Sequence, residues 1–118
     1  MGADTLATAR GLLEKPDAKT AGIWSRAGAL LVRQALEEAL DAFWSSKGLR
    51  LDTLSTRAQL ICLPRYLDDG RLAADVSHAW AALTQACHHH PYELGPTAGE
   101  LQSWLSVVGE LVQRVGRR

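Results

Sequence analysis

The segment from Thr20 to Lys47, TAGIWSRAGALLVRQALEEALDAFWSSK, decides the fold of this 118-residue chain. Its apolar residues recur at helical spacing and cover more than one stripe, which is typical of a central helix that neighbouring helices contact on several sides. The face left for water carries charged residues: Arg33, Glu37, Glu38 and Asp41. Gly48 follows where a helix C-terminus favours glycine. The pattern therefore predicts one long helix over residues 20–47.

Shorter helices are predicted before and after this segment. The first runs from Thr5 to Lys15 and ends at Pro16, which lacks the amide needed to continue it. A third helix begins at Thr53 or Ser55 and is kinked or ended by Pro64.

Two more helices complete the chain. The fourth runs from Arg71 to His89 after an aspartate cap in the turn at residues 68–70. Thr97 and Glu100 form the spacing of a capping box at the start of the last helix.

These helices fit one domain over residues 1–118. The length and the 47% hydrophobic content suffice for a single core, and the sequence shows neither strand-type alternation nor an internal repeat. We therefore expect an all-α fold, a bundle of four or five mainly antiparallel helices.

Composition and charge limit the partners and the cellular location that we expect for this protein. Thirteen basic and thirteen acidic residues balance, so an RNA contact would have to be local. Without a secretion signal, Cys62 and Cys87 are expected to be reduced, buried thiols, which favours a cytoplasmic location. No apolar run approaches the length of a membrane span, so no membrane association is expected.

One face of the fourth helix is polar. Its residues are Arg71, Asp75, His78, Gln85 and His89, interleaved with Ala82 and Ala86. Such a stripe is either a solvated surface or a place where a second subunit or a ligand comes close.

The stripe ends in a histidine turn, Cys87-His88-His89-His90-Pro91-Tyr92-Glu93. The simplest interpretation is that this turn only ends the helix, because histidines near a helix C-terminus interact favourably with its last carbonyl groups. Metal binding is disfavoured because consecutive helical residues point about 100° apart. A nucleophilic Cys87 is disfavoured because it lies on the predicted core face. General acid/base chemistry by an imidazole, with Glu93 and Tyr92 nearby, is the better enzymatic hypothesis, and it needs no metal or other cofactor.

Two stretches of the chain resemble the HEPN family of small helical-bundle proteins. Residues 31–40, LVRQALEEAL, are similar to the long early helix of that family, and Gln85, four residues, His90, Pro91 and Tyr92 are similar in spacing to its late ribonuclease motif. The likeness spans roughly residues 20 to 115. It implies a bacterial toxin–antitoxin or defence protein that acts as a homodimer.

The family motif has an arginine where this sequence has Gln85, and an amide brings no charge to a phosphate. Arg71 and His78 also satisfy the loose motif spacing, so Arg71 could supply the missing cation. The resemblance implies a metal-independent endoribonuclease or RNA-binding cleft in which His90 transfers protons. His88 or His89 would assist it, and Gln85 would donate to phosphate.

The resemblance also implies partners. In family toxins that pair with a small nucleotidyltransferase as antitoxin, the tyrosine after the histidine receives an adenylyl group, so Tyr92 is either a modification site or a substrate contact. The alternative hypothesis is a non-catalytic helical protein-interaction module of the same shape.

Overall fold

The computed structural model describes residues 7–8, 21–51, 53–88 and 95–115. This part contains four helices: α1 (Ala21–Ser46), α2 (Thr56–Tyr66), α3 (Gly70–Cys87) and α4 (Ala98–Arg114). These ranges contain no strand, so the predicted all-α helical bundle is confirmed. The predicted helix from Thr5 to Lys15 lies outside the described residues, apart from the helical Ala7 and Thr8. None of the four helices is long and apolar enough to cross a membrane.

Helix α1 is the central element that its apolar pattern predicts. It contacts both α3 and α4. Its buried side chains are Ala29, Val32, Ala35, Leu36, Ala39, Leu40, Phe43 and Trp44. Each large side chain removed from water in this way stabilises the fold by about 1.5–3 kcal/mol. Just after α1, Gly48 has a φ of 71°, the left-handed conformation that glycine adopts without strain.

Three helices begin at the predicted capping residues. The side chains of Ser55 and Asp69 each accept a hydrogen bond from the backbone N–H three residues later, at 3.2 and 3.0 Å. Thr97 and Glu100 form a reciprocal capping box at the start of α4. These caps satisfy backbone donors that the first turn of a helix leaves without partners.

Helix α2 is not ended by Pro64, which was one of the two predicted alternatives, and α3 ends earlier than predicted. Pro64 lies in the last turn of α2, and the helix continues to Tyr66. Helix α3 ends at Cys87, two residues before the predicted His89, and His88 is extended with a ψ of 134°. The guanidinium of Arg26 donates to the carbonyl oxygen of His88 (3.2 Å), so a side chain from α1 stands at this helix end.

Side-chain hydrogen bonds join α1 to α2 and α3. The carboxylate of Glu37 accepts from the indole of Trp80 (3.2 Å) and from the hydroxyl of Thr56 (3.4 Å). The indole of Trp44 donates to the buried amide of Gln59 (3.1 Å), which donates in turn to a backbone carbonyl oxygen (3.0 Å). Buried polar groups that are paired in this way hold the helices in one register.

Helix α3 runs antiparallel to both α1 and α4. Arg26, near the start of α1, contacts His88 just after the end of α3. At the opposite end of the bundle, Arg114 in the last turn of α4 donates to Asp69 at the start of α3 (3.0 Å). The end of α3 and the starts of α1 and α4 therefore meet at one end of the bundle.

The link between Asp69 and Arg114 predicts part of the acid sensitivity of the fold. A hydrogen bond from the backbone of Leu72, together with Arg114, holds the pKa of the Asp69 carboxyl below its usual value. A depressed folded-state pKa contributes stability that is present above the unfolded-state pKa of about 3.9 and is lost as the pH falls through the folded-state pKa. In Asp69→Asn the cap is kept but the charge is lost, because asparagine caps as well as aspartate.

We expect Asp69→Asn to lower the free energy of unfolding at pH 7, and we expect this deficit to shrink as the pH falls toward 2, as measured by urea denaturation across that range. Asp68→Asn, which changes an exposed neighbour, is the control and should show little effect at either pH. A deficit in Asp69→Asn that is equally large at both pH values would contradict the assignment.

Candidate functional site

A cavity of about 270 Å³ opens where the end of α3 meets the starts of α1 and α4. On the α3 side it is lined by Ala82, Gln85 and Ala86, which share one helix face, and by His88. The C-terminal half of the polar stripe predicted from the sequence is thus the wall of a cavity. Two of the predicted site residues, Gln85 and His88, lie in that wall.

Arg26 brings a cation to the same cavity from α1. Its guanidinium donates to the carbonyl oxygen of His88, 62 residues away in the sequence, at 3.2 Å. A cation is favoured there because the last carbonyl groups of α3 carry the negative end of the helix dipole. The cavity therefore contains a positive charge, carried by Arg26 on α1, in the same lining as Gln85 and His88.

The third wall of the cavity comes from the start of α4 and the residues before it, and includes Gly95, Pro96, Glu100 and Trp104. The capping box fixes Glu100, whose carboxylate accepts from the backbone N–H of Thr97 at 3.0 Å. Trp104 lies one turn further on the same face and is half-buried, with part of its ring packed against the hydrophobic core.

The structure does not bring Arg71 and His78 to this cavity within one chain. Arg71 is paired with Asp75 (2.7 Å) and with Glu110 (2.9 Å), and Glu110 raises the pKa of Arg71 above its ordinary value. Fourteen helical residues, or about 21 Å, separate Arg71 from Gln85 along α3. His78 is exposed between these two positions on α3.

The predicted His89, His90 and Tyr92 lie outside the described residues. The described residues on either side of this stretch, His88 and Gly95, both line the cavity. The stretch that carries the predicted proton-transfer group therefore leaves and rejoins the described structure at the cavity wall.

Metal ligands and thiols are two further kinds of reactive side chain to consider in the described residues. Across residues 7–8, 21–51, 53–88 and 95–115, no three His, Cys, Asp or Glu side chains are grouped so that they could hold a metal ion. Cys62 and Cys87 are free thiols that pack, half-buried, against the core. Cys87 thus lies against the core, where the helical pattern placed it.

The cavity lining carries one guanidinium, from Arg26, and one carboxylate, from Glu100, together with an amide, an imidazole and an indole. A guanidinium binds phosphate oxygens through charge-assisted hydrogen bonds, and an amide can add a donor. An imidazole can accept or donate a proton near neutral pH. An indole offers an apolar face for stacking.

Sequence reasoning did not single out Arg26, Glu100 and Trp104 as site residues. In the sequence Glu100 is part of a capping box and Trp104 is one of the apolar residues of the last helix, and neither pattern indicates a binding site. The available signal for the cavity was the spacing of Ala82, Gln85 and Ala86, small and polar residues on one helix face.

Comparisons of the chain with protein-family models, with curated proteins and with solved structures found no match.

Proposed function

We propose that this protein is a HEPN-like RNA-binding protein of a bacterial toxin–antitoxin or defence system, and that RNA contacts the cavity at the end of α3. The observation that carries the proposal is that Arg26 lines one cavity together with Gln85 and His88. The amide and the histidines belong to the stretch that resembles the family motif. The cation, which that stretch lacks, comes from α1.

A local site of this kind suits a chain with no net charge. Such a chain has little long-range attraction for RNA, so affinity must come from short contacts with phosphate and base. Arg26 is placed for the phosphate contact because its half-buried guanidinium stands beside the exposed His88.

Cleavage, where it occurs, is a transesterification within the RNA. The 2′-oxygen forms a bond to phosphorus as a base takes its proton, and the bond to the 5′-oxygen breaks as that oxygen receives a proton. The products are a 2′,3′-cyclic phosphate and a 5′-hydroxyl. His90 is the proposed proton-transfer group, with His88 or His89 as its helper. Arg26 and Gln85 would stabilise the charge on the phosphate oxygens.

Apolar side chains on and beside α2 favour a second candidate function, a non-catalytic module that binds a protein. Ile61 is 76% exposed, and Leu54 and Tyr66 are also exposed. Ile61 is the most exposed of the three and is the side chain that a partner protein would cover. An antitoxin or a small nucleotidyltransferase is the partner that the resemblance favours, with Tyr92 as the residue that it would modify.

The binding of RNA should depend on Arg26. Arg26→Ala should weaken the binding of a fluorescent single-stranded RNA by about tenfold or more, because a hydrogen bond to a charged group contributes about 1.5–3 kcal/mol. Fluorescence anisotropy over a series of salt concentrations measures this. The slope of log Kd against the logarithm of the salt concentration should decrease by about one, because one phosphate contact is lost.

Arg65→Ala is the matched control for Arg26→Ala. It removes the same charge from an exposed position on α2, away from the cavity. Equal losses in the two variants would mean that net charge, and not the cavity, governs binding.

The second prediction concerns cleavage. Pure protein incubated with single-stranded RNA and EDTA should yield cyclic-phosphate ends, and His90→Ala should abolish this activity. His78→Ala, at an exposed position outside the cavity, should retain it. If wild type and His90→Ala are equally inert while RNA still binds, the protein is a binding module and not an enzyme.

The third prediction concerns assembly. We propose that the protein forms a homodimer. Leu30 is 56% exposed and lies one helical turn beyond Arg26, so it gives α1 an apolar contact point beside the cavity. Light scattering at micromolar concentration should give twice the 12.8 kDa chain mass. Leu30→Glu should shift the protein toward the monomer, and a monomeric wild type would contradict the proposed homodimer.

A further inference from the structure

Trp104 adds an aromatic side chain to a cavity lining that also contains groups able to bind phosphate. The ring is half-buried, so the core fixes its position while part of its surface lines the cavity. Arg26 stands in the same cavity on the neighbouring helix. Stacking on an indole accepts any base, because every base has a π-face.

The size of the cavity limits what it can hold. Its volume of about 270 Å³ lies just below the range of about 300–1,000 Å³ that is usual for sites of drug-sized ligands. One nucleotide is a suitable occupant, whereas a folded RNA element is too large to enter. Gln85 and Glu100 in the cavity wall offer an amide and a carboxylate to the polar edge of a base.

A second cavity of about 280 Å³ lies beside Trp44 and Arg50, but it offers no comparable stacking surface. Trp44 is only 1% exposed, and its indole N–H is already bonded to Gln59. Of these two cavities, the one beside Trp104 is therefore the one that presents an accessible ring together with a guanidinium.

We infer that the cavity is a subsite for one nucleotide of single-stranded RNA, with the base stacked on Trp104 and the phosphate bound by Arg26. This inference rests on the proposed RNA-binding function and adds to it the part of the RNA that is recognised. Trp104 makes the protein sensitive to the presence of a base, which phosphate contacts alone cannot do.

The test compares two probes of equal charge and length, hexaadenylate and an abasic ribose-phosphate hexamer. The wild type should bind hexaadenylate about fivefold or more tightly than the abasic hexamer, because stacking on an aromatic side chain contributes at least that much per base. Trp104→Leu should bind the two probes about equally. Trp104→Phe, which keeps an aromatic ring, should retain most of the preference.

The outcomes separate this inference from the proposed function. Circular dichroism and thermal unfolding check that each variant is folded, and the comparison of the two probes on the wild type tests the inference without any variant. If the wild type binds both probes with equal affinity, the stacking subsite is wrong while RNA binding stands. If it binds neither, the proposed function itself fails. A hexaglutamate peptide that competes as well as hexaadenylate would also overturn the inference, because charge alone would then fill the cavity.

Discussion

The burial of α1 is the constraint on which the rest of the structure depends. Its apolar residues, among them Leu36, Leu40 and Phe43, cover too much of the helix for one neighbour to shield, so α3 and α4 both pack against it. Those two helices also contact each other, and one core results. Because α3 runs antiparallel to the other two, its C-terminus meets both of their N-termini. The cavity is a consequence of this arrangement.

Polar contacts then select one register among the packings that an apolar surface would tolerate. The carboxylate of Glu37 accepts from Trp80 on α3 and Thr56 on α2, and Asp69 binds Arg114 across the opposite end. Sliding one helix past another by a turn would separate these partners and leave polar groups in partly buried places without hydrogen bonds. The position of Arg26 relative to His88 is therefore set by contacts along the whole bundle as well as by their own hydrogen bond.

The elements that could be predicted from the sequence are those that depend on neighbouring residues. Helical spacing located α1, and the capping side chains Ser55, Asp69 and Thr97 located the starts of α2, α3 and α4. The contact just after the end of α3 could not be predicted, because the Arg26 side chain that donates to the carbonyl oxygen of His88 belongs to a helix distant in the sequence. Gln85 and His88 could be predicted as site residues because they are close to each other in the sequence. Arg26 and Trp104 are brought to the same cavity only by the packing of distant helices.

The position of Arg26 on α1 has consequences for the proposed binding of RNA. An arginine at position 85 would stand on the same helix as the histidines, whereas Arg26 reaches His88 from α1 and holds its carbonyl oxygen. Binding a phosphate would therefore require Arg26 to share or exchange that contact, which weakens the electrostatic gain. Stacking on Trp104 is less sensitive to salt than a phosphate contact and would supply the affinity that one shared guanidinium does not. In a chain without net charge, the proposed binding of RNA at this cavity would therefore need the ring of Trp104 as well as the guanidinium of Arg26.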